Sequence, residues 1–187
     1  LGDVYKRQYM DTTYAHIMQL TLPSTDASYQ LLDEDAAAAL MEAANNAIAQ
    51  MEDEGATLDE VADDVLQEVL PLSGREYTDS SVSEYLSERY VSENSTLYGN
   101  DFSLAMLAAE VGSCGLYTAS TSPLLYEKLP NYETDQQFEE EHFAAMADEI
   151  NARAFEEEVD EKAGALSLEE DAAAVRTYSV YNIKTEV

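Results

Sequence analysis

The chain has 187 residues, 45% of them hydrophobic, with only 7 glycines and 4 prolines, which describes a folded protein and excludes a low-complexity one. Its 39 acidic and 9 basic residues leave a formal charge of −30, a field that repels nucleic acid and anionic membrane surfaces and attracts basic polypeptides or divalent cations. The same charge reads more plainly as a solvated acidic surface, and a single cysteine, Cys114, excludes an internal disulfide or a multi-cysteine metal site.

In chain order, Leu1-Gly-Asp-Val-Tyr-Lys-Arg-Gln8 resembles translated adaptor sequence at the end of an assembled fragment. Residues 1–11 therefore read as a non-native or linker start. Residues 12–22 read as a strand, with Tyr14, Ile17, Leu20 and Leu22 broken by Pro23. A polar loop over 23–32 follows. Asp33 is an N-cap for a helix over 34–53, Asp35 favours the positive end of its dipole, and Gly55 stops it. Thr57 and Glu60 form a capping-box pair opening a second helix that buries Leu58, Val61, Ala62, Val65 and Leu66 up to Pro71.

Asp79 or Ser80 caps a third helix bearing Val82, Tyr85, Leu86 and Tyr90, and Ser92 to Asn100 reads as polar loop. Phe102, Ala105, Met106 and Ala109 recur at helical spacing, and Gly112 suits a left-handed stop. Two β-like pieces, 116–120 and 124–129, flank a Thr-Ser-Pro turn. From Glu133 to Ala163 runs one long acidic helix stopped by Gly164, with Phe138, Ala145, Ile150, Ala154 and Val159 on an irregular apolar side. An unpaired apolar face there predicts a homodimer or local disorder. The tail holds a β-prone stretch over 178–183. No apolar run approaches the roughly 18 residues of a membrane-spanning helix.

The run from Phe102 to Gly112, F-x-x-A-x-L-x-x-x-V-G, lies 86 residues after His16 in Tyr14-Ala-His-Ile-Met-Gln-Leu20 and shortly before Leu124-Leu-Tyr-Glu-Lys-Leu-Pro130. That order resembles the parvulin-type peptidyl-prolyl isomerases, and more closely the parvulin domain of extracytoplasmic foldase lipoproteins. The family has a histidine in its first strand, then helices, then F-x-x-A-A-F-x-L-x-x-G, and a final strand G-Y-H-I-I-K. Phe102, Ala105, Leu107 and Gly112 fall on the helix motif, and residues 124–130 on the last strand and its exit.

The resemblance implies an α+β fold: a small antiparallel or mixed sheet flanked by helices, followed by a long C-terminal helix. It implies a domain over 12–130 and a helical extension over 131–187. By resemblance the partners are unfolded or proline-containing polypeptides, not nucleic acid. The full-length form is then a cell-surface lipoprotein outside the cytoplasm, anchored in the membrane through an N-terminal lipid-modified segment.

Isomerising an X-Pro bond requires no cofactor, nucleophile or metal. Its barrier of about 18–20 kcal/mol comes from amide resonance, so a site needs an apolar cup, a fixed polar network and a surface for the flanking peptide. The resemblance assigns the cup to Phe102, with Tyr98 where the family often has methionine, and Leu107 and Leu124 as further substrate-binding positions. Phe102 and Leu107 also read simply as core residues of a short helix.

His16 matches the first of two paired histidines that hydrogen-bond across adjacent strands, making it the catalytic candidate. The second histidine position is Leu124, and the expected geometry sets His16 beside it. With that pair broken, isomerisation is expected to be weak or lost. His142, among Glu139, Glu140 and Glu141, reads as a solvated surface residue, and Cys114 as a half-buried thiol. Two distant histidines and one cysteine do not make a zinc site or a Cys-His nucleophile. The acidic clusters lack calcium-loop spacing. The competing reading is an acidic helical protein-interaction module without enzymatic activity, based on the abundance of Ala, Glu and Leu.

Overall fold

The computed structural model describes residues 3–93, 95–118 and 122–164. It contains α1 (Asp3–Thr13), β1 (Tyr14–Thr21), α2 (Glu34–Glu54), α3 (Leu58–Leu72), α4 (Ser81–Tyr85), β2 (Leu86–Ser92), α5 (Asn100–Ala108), β3 (Cys114–Tyr117), β4 (Leu124–Leu129), α6 (Asp135–Gln137), a π turn (Phe138–His142) and α7 (Phe143–Gly164). The class is α+β. The four strands pair antiparallel throughout, in the order β2-β1-β4-β3.

Central β1 is buried on both faces. Ala15 and Ile17 point to one side and Leu20 to the other, all fully buried, as period-2 alternation requires of a strand covered twice. On one face Leu20 and Leu125 join α2 and α3 in a core with Leu40, Leu58, Leu66 and Leu70. Burying one such leucine side chain contributes roughly 1.5–3 kcal/mol. On the other face Ala15, Ile17, Val91 and Leu124 pack against Tyr98, Phe102 and Met106 from α5 and its lead-in.

The helix ends follow local chemistry. The Asp33 carboxylate accepts the Ala36 N–H at 2.8 Å, and Gly55 closes α2 at φ +72°. At α3 the Thr57 hydroxyl accepts the Glu60 N–H while Glu60 accepts the Thr57 N–H at 2.9 Å. A third group reinforces that end from a distance. Glu127 of β4, buried, accepts the Leu58 N–H at 2.6 Å, placing negative charge at the positive end of α3.

Residues 3–13 form α1 and pack on the rest of their unit: Met10 is buried, Arg7 pairs with Asp135, and the Lys6 ammonium lies 3.1 Å from the Phe143 ring centroid. Two expectations need correction. The helix expected through Tyr90 stops at Tyr85, and Leu86–Ser92 becomes strand β2, because β1 offers it a ladder from Leu20↔Leu86 to Tyr14↔Ser92. The long helix is interrupted near its start by the π turn, in which Phe138 is buried. Gly112 does take a left-handed conformation (φ +84°), though it sits in a turn beyond the end of α5.

The described residues up to Phe143 form one compact unit and those from Ala144 a second. The described part of the second is helical to Gly164, with ion pairs Arg153–Glu157 and Lys162–Glu158, and with Phe155 and Val159 exposed. The β-prone stretch 178–183 lies outside the described residues.

Candidate functional site

Side chains on the α5 face of the sheet come from odd positions of β1 and β2 and even positions of β4, as the cross-strand registers dictate. Phe102, in the first turn of α5, lies over this face. Its ring is 5.2 Å from Tyr98, 4.4 Å from Tyr117 and 5.2 Å edge-on from Tyr126, centroid to centroid. These are favourable aromatic separations, each worth roughly 0.5–1.5 kcal/mol beyond area burial. Leu124 packs in the same cluster and Leu107 at its margin. The sheet accommodates the rings through Gly115, which pairs with Tyr126. A Cβ there would meet the Tyr126 hydroxyl at 2.7 Å and its Cζ at 3.0 Å.

A polar chain crosses the same face. The Tyr98 hydroxyl donates to Gln19 Oε1, and Gln19 Nε2 donates to Ser87 Oγ at 3.3 Å. Tyr117 is held at the other end, where its hydroxyl accepts the Gly99 N–H at 2.9 Å. Helix α5 is tied down by Lys128, whose ammonium donates to the Ala109 carbonyl at 2.6 Å just past the last turn. Burial raises the pKa of Tyr98, against a smaller lowering by Arg89. Burial also raises that of Tyr126, with Cys114 adding to it, and lowers that of Lys128, which Asp11 partly opposes.

The two strands expected to be neighbours do share a ladder, but their register corrects the expected site. His16 is opposite Leu129, and Leu124 is opposite Thr21 at the far end. His16 also occupies an even position of β1, so it lies on the α2/α3 face and not under Phe102. Its ring stacks on Tyr90 at 4.4 Å. Nδ1 is 3.0 Å from the Pro130 carbonyl oxygen, and Nε2 is 3.0 Å from the Glu88 carboxylate. Both ring nitrogens are thus engaged by the protein. The geometry brings together Phe102, Tyr98, Leu124 and Leu107, and leaves His16 out.

His142 is half-buried rather than fully solvated, with Glu141 3.8 Å from its Nε2. The π turn directs it to Tyr90, whose hydroxyl donates to the Asn131 carbonyl at 2.9 Å and lies 3.4 Å from His142 Nε2. Cys114 is half-buried on the α2/α3 face, and burial first, then Glu52 and Glu127, pushes its thiol pKa up.

Gln19, Ser87, Tyr117 and Tyr126 were not singled out from the sequence. For Gln19 a signal existed: it is a polar residue in phase with buried Ala15 and Ile17, a position that demands a hydrogen-bond partner. Among the described residues no group of three or more His, Cys, Asp or Glu side chains is arranged to hold a metal ion, and no helix is long and apolar enough to cross a membrane. Comparison with protein-family models, with curated proteins and with solved structures finds no match to the chain.

Proposed function

We propose that the α5 face binds extended, proline-containing segments of other polypeptides, as in a parvulin-like folding factor with weak or lost isomerase activity. The observation that carries this reading is the position of Phe102, set over β1 and β4 among three tyrosines and beside the Tyr98–Gln19–Ser87 chain. A prolyl ring is a flat, apolar group suited to an aromatic wall. The carbonyls flanking it need donors: the Gln19 carboxamide has a second N–H beyond the one given to Ser87, and the Tyr98 proton becomes available once its bond to Gln19 opens.

Phe102 is only 8% exposed, so a prolyl ring gains full contact by displacing Tyr98 or Tyr117. That displacement costs ring–ring contacts and makes binding weak. Catalysis is weak for a separate reason. The one histidine of β1 has both nitrogens occupied on the opposite face, leaving neutral hydroxyl and amide groups to polarise the imide. Export and lipid anchoring belong to the same resemblance and stand or fall with it. A second reading, a helical interaction module, is favoured by exposed Phe155 and Val159 on α7.

The test is an NMR titration of labelled protein with a short Ala-X-Pro peptide, together with exchange spectroscopy of the peptide's cis and trans signals. The expected shifts fall at Gln19, Tyr98, Phe102, Tyr117 and Tyr126, with slow exchange that falls further in Phe102→Leu. Shifts confined to α7 would transfer the function to the helix. An enhancement of many orders of magnitude would refute the weak-catalysis half of the proposal.

A further inference from the structure

The loop between β1 and α2 presents apolar side chains to solvent from a tightly fixed backbone. Tyr29 is 85% exposed and Leu31 82%. The Asp26 carboxylate accepts the Ser28 and Gln30 N–H groups at 2.8 and 2.9 Å, and the Asp26 N–H donates to the Gln30 carbonyl at 2.7 Å. Arg75 holds the loop from below, donating to the carbonyls of Thr25 and Asp26, and Ala27 N–H donates to the Ser73 carbonyl at 2.9 Å. Tyr29 itself sits at φ +62°, a left-handed conformation that a non-glycine residue adopts only when its surroundings impose it. The exposure is therefore built into the loop.

Beside this loop lies a groove of about 260 Å³, walled by Pro23, Leu31, Leu32, Leu40, Met41 and Pro123. It is smaller than the roughly 300–1,000 Å³ of a typical small-molecule pocket, and its apolar walls suit peptide side chains better than a cofactor. The surrounding charge has one sign. Asp33, Glu34 and Asp35 open α2, the helix that supplies Leu40 and Met41. Residues 22–74 hold 13 aspartates and glutamates and no lysine or arginine. Arg75, the first cation after that stretch in the chain, is engaged by the loop carbonyls.

We infer that this groove docks an extended polypeptide segment with an apolar side chain flanked by lysines or arginines. The apolar residue enters between Leu31 and Met41, and the flanking cations meet the carboxylates at the start of α2. This surface belongs to the loop and α2, separate from the α5 face, and needs no proline in its ligand.

Fluorescence anisotropy with two labelled, proline-free peptides tests it. One has a Leu-Phe centre flanked by lysines and the other the same centre flanked by glutamates. The lysine peptide should bind, more weakly as salt is added, and the glutamate peptide at least roughly tenfold more weakly. Leu31→Ser should abolish binding while leaving the fold intact, since that side chain is exposed. Tyr29→Gly, which relieves the left-handed strain, should also weaken binding without loss of stability. Equal binding of both peptides, undiminished binding by Leu31→Ser, or no binding at all overturns the inference. So does a Leu31-dependent dimer in sedimentation, which would give the groove to a second copy of the chain. Because neither peptide contains proline, failure here leaves the reading of the α5 face untouched.

Discussion

The Tyr98 hydroxyl hydrogen-bonds to the carboxamide of Gln19, linking the lead-in of α5 to the central strand of the sheet. The bond ties the Phe102 cluster to β1 through side chains, and both its ends are half-buried or deeper. Tyr98→Phe keeps the ring and removes the donor, leaving the Gln19 oxygen unpaired. The expected loss is about 1–3 kcal/mol, read from urea denaturation. In a double-mutant cycle with Gln19→Leu the two losses should not add. Additive losses would mean that the bond contributes nothing.

Gly115 and Tyr126 should be coupled as well. Gly115→Ala places a methyl group where the Tyr126 hydroxyl now sits, and the ring must swing away from Phe102. Overpacking of this kind costs typically ~1–3 kcal/mol. Tyr126→Phe removes the closest atom, so the double variant should lose less than the sum of the two single ones. Near-ultraviolet circular dichroism, which the tyrosines dominate in a protein without tryptophan, should report the displaced ring in Gly115→Ala.

Glu127 should matter more than its single hydrogen bond to Leu58 suggests. Glu127→Ala leaves the first N–H of α3 buried without its charged acceptor, and a loss of about 1.5–3 kcal/mol is expected. Glu127→Gln keeps an acceptor and loses the charge, so its effect should be smaller. Hydrogen exchange should locate the effect: the Leu58 amide loses protection in both variants, and more in the alanine one.

Alkaline pH should destabilise the protein through buried Tyr98 and half-buried Tyr126. Burial raises the folded-state pKa of Tyr98 and Tyr126 above the ordinary value of 10.0. The unfolded chain therefore releases those protons first, so the folded state binds more protons above pH 10 and stability falls as pH rises. The stabilisation is fully present below about pH 10. It is lost as pH climbs through the folded values. Urea midpoints measured across that range should decline. Since the chain has 13 tyrosines and Tyr29 is 85% exposed, the Tyr98 contribution is read as the difference between the wild-type and Tyr98→Phe absorbance titrations, and its ionisation in a still-folded protein near pH 10 would contradict its burial.

Much of the fold follows from neighbours along the chain. Asp33 before an apolar helical stripe, Thr57 three residues ahead of Glu60, and Gly55 between them act within a single turn, so their helix ends are readable without any tertiary contact. Strand β2 was not readable in that way. Val82, Tyr85 and Leu86 have helical spacing, and Ser87-Glu-Arg-Tyr90 carries no apolar alternation, so only the ladder to β1 makes those residues extended. His142 is similar: its acidic neighbours suggest a solvated face, and the π turn brings it to Tyr90 instead.

Capping and hydrophobic period are local properties, and they are enough to read the helices that flank the sheet from the sequence; the expected class and the candidacy of Phe102 rest on the family resemblance instead. Only the tertiary structure decided which polar group lies beneath Phe102. An antiparallel register sets Thr21, not His16, opposite Leu124, and the alternation of a strand sends His16 to one face and Gln19 to the other. Register depends on how distant strands align, and a shift of one residue exchanges the two faces. The polar groups beneath Phe102 are therefore a carboxamide and tyrosine hydroxyls, while His16 bridges Glu88 and the Pro130 carbonyl on the opposite face.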